Sequence, residues 1–219
     1  MQMRIGMLGT GMVGRTLASK LVSLGHEVMM GSRQAGNEAA VGWAKESGQL
    51  ADEGNFAEAA GFGELVVNAT SGAASMDALV SAEAENLTGK VLLDVANPLD
   101  FSGGMPPTLT VCNTDSLAEQ IQRTFPETRV VKSLNTVNAD VMVDPGIVPG
   151  SHTVFVAGDD AGAKDTVKSI LTEFGWPAED VMDLGGIQAA RGLEMYLPLW
   201  LSLYGASGTS HVNVKVVIP

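Results

Sequence analysis

Apolar positions along the chain follow two alternating rhythms. Short aliphatic runs recur at Arg4–Leu8, Glu27–Met30, Leu65–Ala69, Lys90–Val95, Arg129–Leu134 and His152–Ala157, each of strand length. Between them, apolar residues recur every three or four positions. Val13, Leu17, Leu21 and Leu24 mark a helix over Met12–Leu24 that Gly25 and His26 break. Further helices are predicted over Asn37–Glu46, Phe56–Ala60, Ser75–Ala84 and Lys164–Phe174. Ser116 and Glu119 have the spacing of a capping box, for a helix that ends by Phe125 and Pro126. Ala189–Tyr204 reads as a mostly apolar helix kinked at Pro198, and His211–Ile218 as a final strand.

Strands that alternate with helices predict an α/β fold of the Rossmann type. The expected form is a doubly wound, mostly parallel sheet with helices on both faces and a small C-terminal helical and strand extension. The turn-rich stretch from Asn97 to Asn113 is long for a plain connection, so Phe101–Pro107 is a candidate lid.

Composition narrows the function classes. The 219 residues are 45% hydrophobic and 17% charged, which suits one globular unit with a sizeable core. A formal charge of −12 argues against nucleic acid and anionic membrane surfaces as partners. The only cysteine, Cys112, excludes an internal disulfide and reads as a small packed residue. His26, His152 and His211 are too scattered for a metal motif. There is no cationic leader and no transmembrane-length apolar run, so a cytoplasmic protein is expected.

One motif carries chemistry. Gly9-Thr10-Gly11-Met12-Val13-Gly14 follows the first strand and opens the first helix. In that context G-x-G-x-x-G is a dinucleotide turn. Gly9 permits the bend, Gly11 lets backbone approach a pyrophosphate, and Gly14 lets helix and strand pack closely. The alternative is a glycine-rich turn without a ligand. The second strand ends in Gly31-Ser32-Arg33 and carries no acid. An acid there would repel a 2′-phosphate, whereas a hydroxyl and a guanidinium would bind one, so NADP(H) is expected rather than NAD.

Other strand ends carry small or amide-bearing residues: Ala69, Thr70 and Ser71; Asn97 and Pro98; Asn135, Thr136 and, shortly after, Ala139. These suit a nicotinamide and ribose, although Asn and Thr also serve as plain turn and cap residues. No Tyr-x-x-x-Lys pair or Ser-His-Asp arrangement is evident, so no catalytic residue is assigned and hydride transfer by positioning is expected.

Taken with Asn97-Pro98-Leu99, Asn135-Thr136 and the late segment Ala190–Trp200, these motifs make the chain resemble the NADP oxidoreductases dependent on coenzyme F-420, in a bacterial branch. The resemblance spans essentially the whole chain. It implies hydride transfer between NADPH and a deazaflavin, F-420 or a flavin-like small-molecule acceptor. It also implies nucleotide contacts at Thr10, Gly11, Met12, Val13, Ser32 and Arg33, and a homodimer. Archaeal members carry a histidine where Asn135 stands, and a lysine shortly after the Ser-Arg pair, where Gln34–Asn37 stand here. On this reading residues 1–219 form a single NADP-binding Rossmann domain. Residues 185–219 are then an extension that serves the acceptor pocket or a dimer contact. The same extension also reads as a core helix packing Leu193, Leu197, Trp200 and Leu203, with Arg191 and Glu194 as an exposed ion pair. Two other function classes stay open: an NADPH-dependent imine or carbonyl reductase of a small metabolite, and a non-catalytic NADP sensor.

Overall fold

A computed structural model describes residues 2–218. Among these residues eight strands form the main sheet. β1 (Arg4–Leu8) lies at its centre, flanked by β2 (Glu27–Ser32) and then β3 (Ala51–Asn55) on one side. On the other side follow β4 (Leu65–Asn68), β5 (Val91–Asp94), β8 (Arg129–Ser133), β9 (Val154–Ala157) and β10 (Val181–Asp183). All neighbours pair parallel except β8 with β9, which pair antiparallel. The chain winds outward from β1 to β3 and then returns to β4. The winding therefore reverses between β1 and β4, where a crevice opens at the strand C-termini.

Period-two alternation explains the layers. Ile5 and Met7, Leu65 and Val67, and Val91 and Leu93 face one core, where they meet Leu17 and Leu21 of α1 (Met12–Ser23) and Trp43 of α2 (Glu38–Ser47). α7 (Ala139–Val143) and α8 (Ala161–Phe174) complete that layer. Leu8, Val66 and Leu92 face the opposite core. It is covered by α3 (Phe56–Phe62), α4 (Gly72–Ser81), α5 (Ala84–Leu87) and α6 (Leu117–Thr124). Strands buried on both faces read as continuous apolar runs, as these do.

The six predicted strands before the C-terminal tail and the major helices stand, with shifted ends. α4 begins three residues before the expected Ser75, capped at Ser71. β3 and β10 were not legible. β3 reads Ala-Asp-Glu-Gly-Asn and β10 has three residues, so neither carries an apolar run. Part of the Asn97–Asn113 stretch folds as a hairpin of β6 (Leu99–Asp100) and β7 (Thr108–Leu109), whose tip is the candidate lid. The apolar C-terminal stretch is interrupted at Tyr196. α9 (Ala190–Met195) precedes it and α10 (Leu197–Ser207) follows, with Pro198 in the first turn of α10, where its missing N–H does no harm.

Four expectations are corrected. His211–Ile218 forms no strand; an extended tail is tied to Thr153 through Thr153 N–H to Val214 C=O at 2.8 Å and Val216 N–H to Thr153 Oγ1 at 3.1 Å. Cys112 is exposed, because it sits on a surface turn rather than in either core. Ser116 caps α6 by accepting from Glu119 N–H, but Glu119 does not close a capping box; its carboxylate turns to the Ser116 hydroxyl and to Arg191. Arg191 and Glu194 are not paired. Arg191 bonds Glu119 at 2.6 and 2.9 Å, and Glu194 is buried. Three residues apart on a short helix, the two side chains find better partners on neighbouring elements.

Candidate active site

The loop after β1 turns sharply at Gly9, whose φ is +119°. A Cβ there would stand 2.6 Å from the Ala69 carbonyl oxygen, so only glycine fits. A Cβ on Gly14 would stand 2.2 Å from the Gly9 carbonyl oxygen, so this residue fixes how closely α1 approaches the turn. Gly11 differs: a Cβ there would meet nothing within 4 Å. It lies instead at the mouth of a cleft. Gly11 caps α1 without a side-chain cap, and no acid stands in the first turn. The first amides of α1, with the helix dipole behind them, therefore face the cleft ready for an anion.

That cleft, about 770 Å³, is lined by Gly9, Thr10, Gly11, Ser32 and Arg33 and reaches α4. Among the described residues Arg33 makes no hydrogen bond or ion pair, and it is exposed at the cleft rim. Ser32 is buried, and its hydroxyl donates to Gln34 C=O at 2.6 Å. It thereby shapes the turn that carries Arg33. Gly36 and Asn37 also line this cleft, which their plain turn character had not suggested.

A second pocket of about 430 Å³ adjoins the first, since Ala69, Thr70 and Ser71 line both. Its walls include Met12, Val13, Asn97, Asn135, Thr136 and Ala139 from among the sequence candidates, together with Phe101, Met142, Leu197 and Trp200. Phe101 comes from the candidate lid. Gly14 and Pro98 line neither space. Gly14 lies beneath the turn, and Pro98 packs against the backbone of Gly72.

The pocket floor is built by a strained turn. Leu134, buried and non-glycine, has φ +62°, a left-handed conformation that costs on the order of 1–3 kcal/mol and is retained where the surroundings impose it. It presents Asn135 and Thr136. Asn97 and Asn135 clasp each other: Asn97 Nδ2 donates to Asn135 C=O at 2.8 Å, and Asn135 Nδ2 to Asn97 Oδ1 at 2.9 Å. Asn135 Nδ2 also donates to Leu193 C=O at 3.0 Å. Three polar atoms of the lining residues remain buried without a hydrogen-bond partner: Asn135 Oδ1, Thr136 Oγ1 and Trp200 Nε1. Each such atom costs about 1–3 kcal/mol unless something pairs it. An acceptor, a hydroxyl and an indole N–H suit the amide-bearing edge of a planar heterocycle. Among the described residues, no aspartate, glutamate, histidine, lysine, arginine, tyrosine or cysteine lines this pocket.

Charge lies just beneath the floor. Lys132 is fully buried and bonds Asp94 at 2.9 Å and Glu194 at 2.8 Å. Burial works against its charge, but the two carboxylates outweigh burial and hold its pKa above the ordinary lysine value. Burial pushes Glu194 above the usual carboxylate range, with Lys132 opposing it. Neither Lys132 nor Glu194 had stood out in the sequence as part of this site.

Comparisons place this arrangement among known proteins. Residues 4–98 match the family described as NADP oxidoreductase, coenzyme F420-dependent. An F420-dependent NADP reductase from Methanothermobacter marburgensis is 31% identical over 225 residues, covering 98% of both chains. The chain belongs to the F420-dependent NADP reductase family. A crystal structure from Arthrobacter sp. FB24, described as a candidate F420-dependent NADP-reductase, is 54% identical and superposes with a TM-score of 0.93, covering 99% of this chain and 100% of that one. The metalloreductase STEAP3 of Rattus norvegicus is 30% identical over 201 residues. That match covers 90% of this chain but 38% of the metalloreductase. Family membership makes this chain an oxidoreductase of the Rossmann type. No helix among the described residues is long and apolar enough to cross a membrane, and no group of side chains there could hold a metal ion.

Proposed function

We propose that the protein transfers hydride between NADPH and the deazaflavin coenzyme F420. One observation carries this reading: a polar cleft built around the glycine turn adjoins an apolar pocket that no titratable side chain among the described residues lines. A carbonyl or imine substrate needs a proton placed on one atom as hydride arrives. A deazaflavin spreads the added electron density over a conjugated ring system, so this pocket need only position it. That separates the reading from a small-metabolite reductase.

In this reading Gly9, Thr10 and Gly11 hold the pyrophosphate against the first turn of α1. Ser32 shapes the ribose end, and Arg33 neutralises the 2′-phosphate. Met12, Val13, Ala69, Thr70 and Ser71 lie along the nicotinamide half. Asn97 and Ala139 wall that half, and Asn135 and Thr136 offer their unpaired oxygens to a ring edge. Leu197, Trp200 and Phe101 exclude water from the reacting face. The whole chain acts as one nucleotide-binding unit, with residues 185–219 closing the acceptor side.

Spectrophotometry with NADPH and F420, free flavins or a panel of imines and carbonyls tests this directly. Rapid loss of the oxidised deazaflavin absorbance is expected, with little turnover of the other acceptors. Preferred reduction of an imine or carbonyl would overturn it, and so would tight NADPH binding with no acceptor reduced.

We also propose a homodimer formed through α10. Leu199 and Tyr204 on α10, and Val217 and Ile218 on the tail, are exposed. Only Leu197 of that helix is buried. Light scattering should report twice the 22.7 kDa chain mass, and a monomer at micromolar concentration would exclude the dimer.

A further inference from the structure

α10 supplies Leu197 and Trp200 to the acceptor pocket, yet it is weakly anchored on its own. One residue, Tyr196, joins it to α9. The placement of this wall therefore depends on what holds α9. Glu194 is 1% exposed and sits at the centre of that hold. Its carboxylate accepts from Lys132 at 2.8 Å, from Leu117 N–H at 2.8 Å and from Ala118 N–H at 3.2 Å, the last two being the first amides of α6. Lys132 is fixed in turn by Asp94 and by the Ala96 carbonyl. Asp94 accepts from Asn68 Nδ2 at 2.9 Å, and Asn68 Oδ1 accepts from the Thr70 hydroxyl at 2.7 Å. An unbroken chain of polar contacts, buried except at its Thr70 end, thus runs from the ridge shared by the two pockets to α9, which carries the acceptor wall. On the outer side Arg191 ties α9 to Glu119.

A buried charge cluster is a costly way to gain stability alone, because well-packed apolar residues often do as well. It does fix geometry, since charged hydrogen bonds are short and directional. We propose that Glu194, clamped by Lys132, is the positioning residue of the acceptor wall and sets acceptor recognition through Leu197 and Trp200. The proposal rests on the reading of the apolar pocket as the acceptor site. It assigns Glu194 no contact with either substrate.

The test compares Glu194→Gln, Trp200→Leu and the double variant. Glu194→Gln should raise the KM for F420 about tenfold, while NADPH affinity by calorimetry stays within about a factor of two. Trp43 and Trp176 are 5% and 1% exposed, so acrylamide quenching of tryptophan fluorescence reports mainly on Trp200; its slope should rise in Glu194→Gln. Trp200→Leu should raise the same KM. Because the two residues act through one wall, the double variant should be no worse than the weaker single variant. Arg191→Ala loosens the same helix from its partly exposed side. It should give the same pattern at smaller amplitude, and it decides the matter if Glu194→Gln does not fold. A parallel loss of NADPH affinity, multiplied effects in the double variant, or unchanged quenching and KM would each overturn the proposal. If wild-type protein reduces no deazaflavin, the functional reading fails separately, and the quenching comparison still decides whether Glu194 holds the wall.

Discussion

Arg33 is a cation without a partner among the described residues of a strongly acidic protein. Charge-assisted hydrogen bonds contribute about 1.5–3 kcal/mol each. Arg33→Ala should therefore weaken NADPH about tenfold to a hundredfold in calorimetry and leave NADH nearly unchanged. Equal losses for both nucleotides would remove Arg33 from the phosphate site. Gly11 makes a second prediction at this scale. Its φ is −72° and a Cβ there meets no protein atom, so Gly11→Ala should fold with a melting temperature close to wild type. The added methyl would occupy the space the pyrophosphate needs, so NADPH affinity should fall at least about tenfold. A variant that binds normally would show that the phosphates lie elsewhere. Both residues were picked out in the sequence as candidates because the signals are local: a spacing of glycines, and a strand end that lacks an acid. Glu194 and Lys132 were not. They lie 62 positions apart in the chain, and only the return of α9 across β8 brings them together.

At the scale of elements, β10 is held at the sheet edge by three residues and one carboxylate. Asp183 accepts from Lys164 at 2.8 Å and Lys168 at 2.9 Å on α8, and from Gly185 N–H at 2.9 Å. Burial raises its pKa, but these bonds outweigh burial and bring it down from 3.8 to about 2. The folded-state value is depressed, so the stabilisation is present above the unfolded value and is lost as pH falls from about 4 towards 2. The difference in melting temperature between wild type and Asp183→Asn should close across that window; a constant difference would show that the lysines contribute no charge-dependent stability. Strands with nearly continuous apolar runs, β4 and β5, were readable because both faces are buried. β3 escaped because this edge strand carries mostly polar residues, and β10 because three residues are too few to set a pattern. The tail at His211–Ile218 misled for the opposite reason. Its alternating residues have strand character, but among the described residues it pairs only at isolated points.

At the scale of the whole molecule, the fold class followed from element order, because the rule that places ligands at the C-termini of parallel strands depends on topology alone. The division of the site into a polar and an apolar compartment did not, since Phe101 and the pair Leu197 and Trp200 reach the pocket from two distant parts of the chain. The ridge Ala69–Thr70–Ser71 lines both compartments. A nucleotide seated in the polar cleft would reach over that ridge, so its nicotinamide would meet the second substrate face to face within the apolar pocket, with no protein group between them to carry electrons in relay. Turnover would then pass through a ternary complex rather than by a ping-pong cycle. A deuterium carried on the nicotinamide would arrive intact on the second substrate, without washing out into solvent.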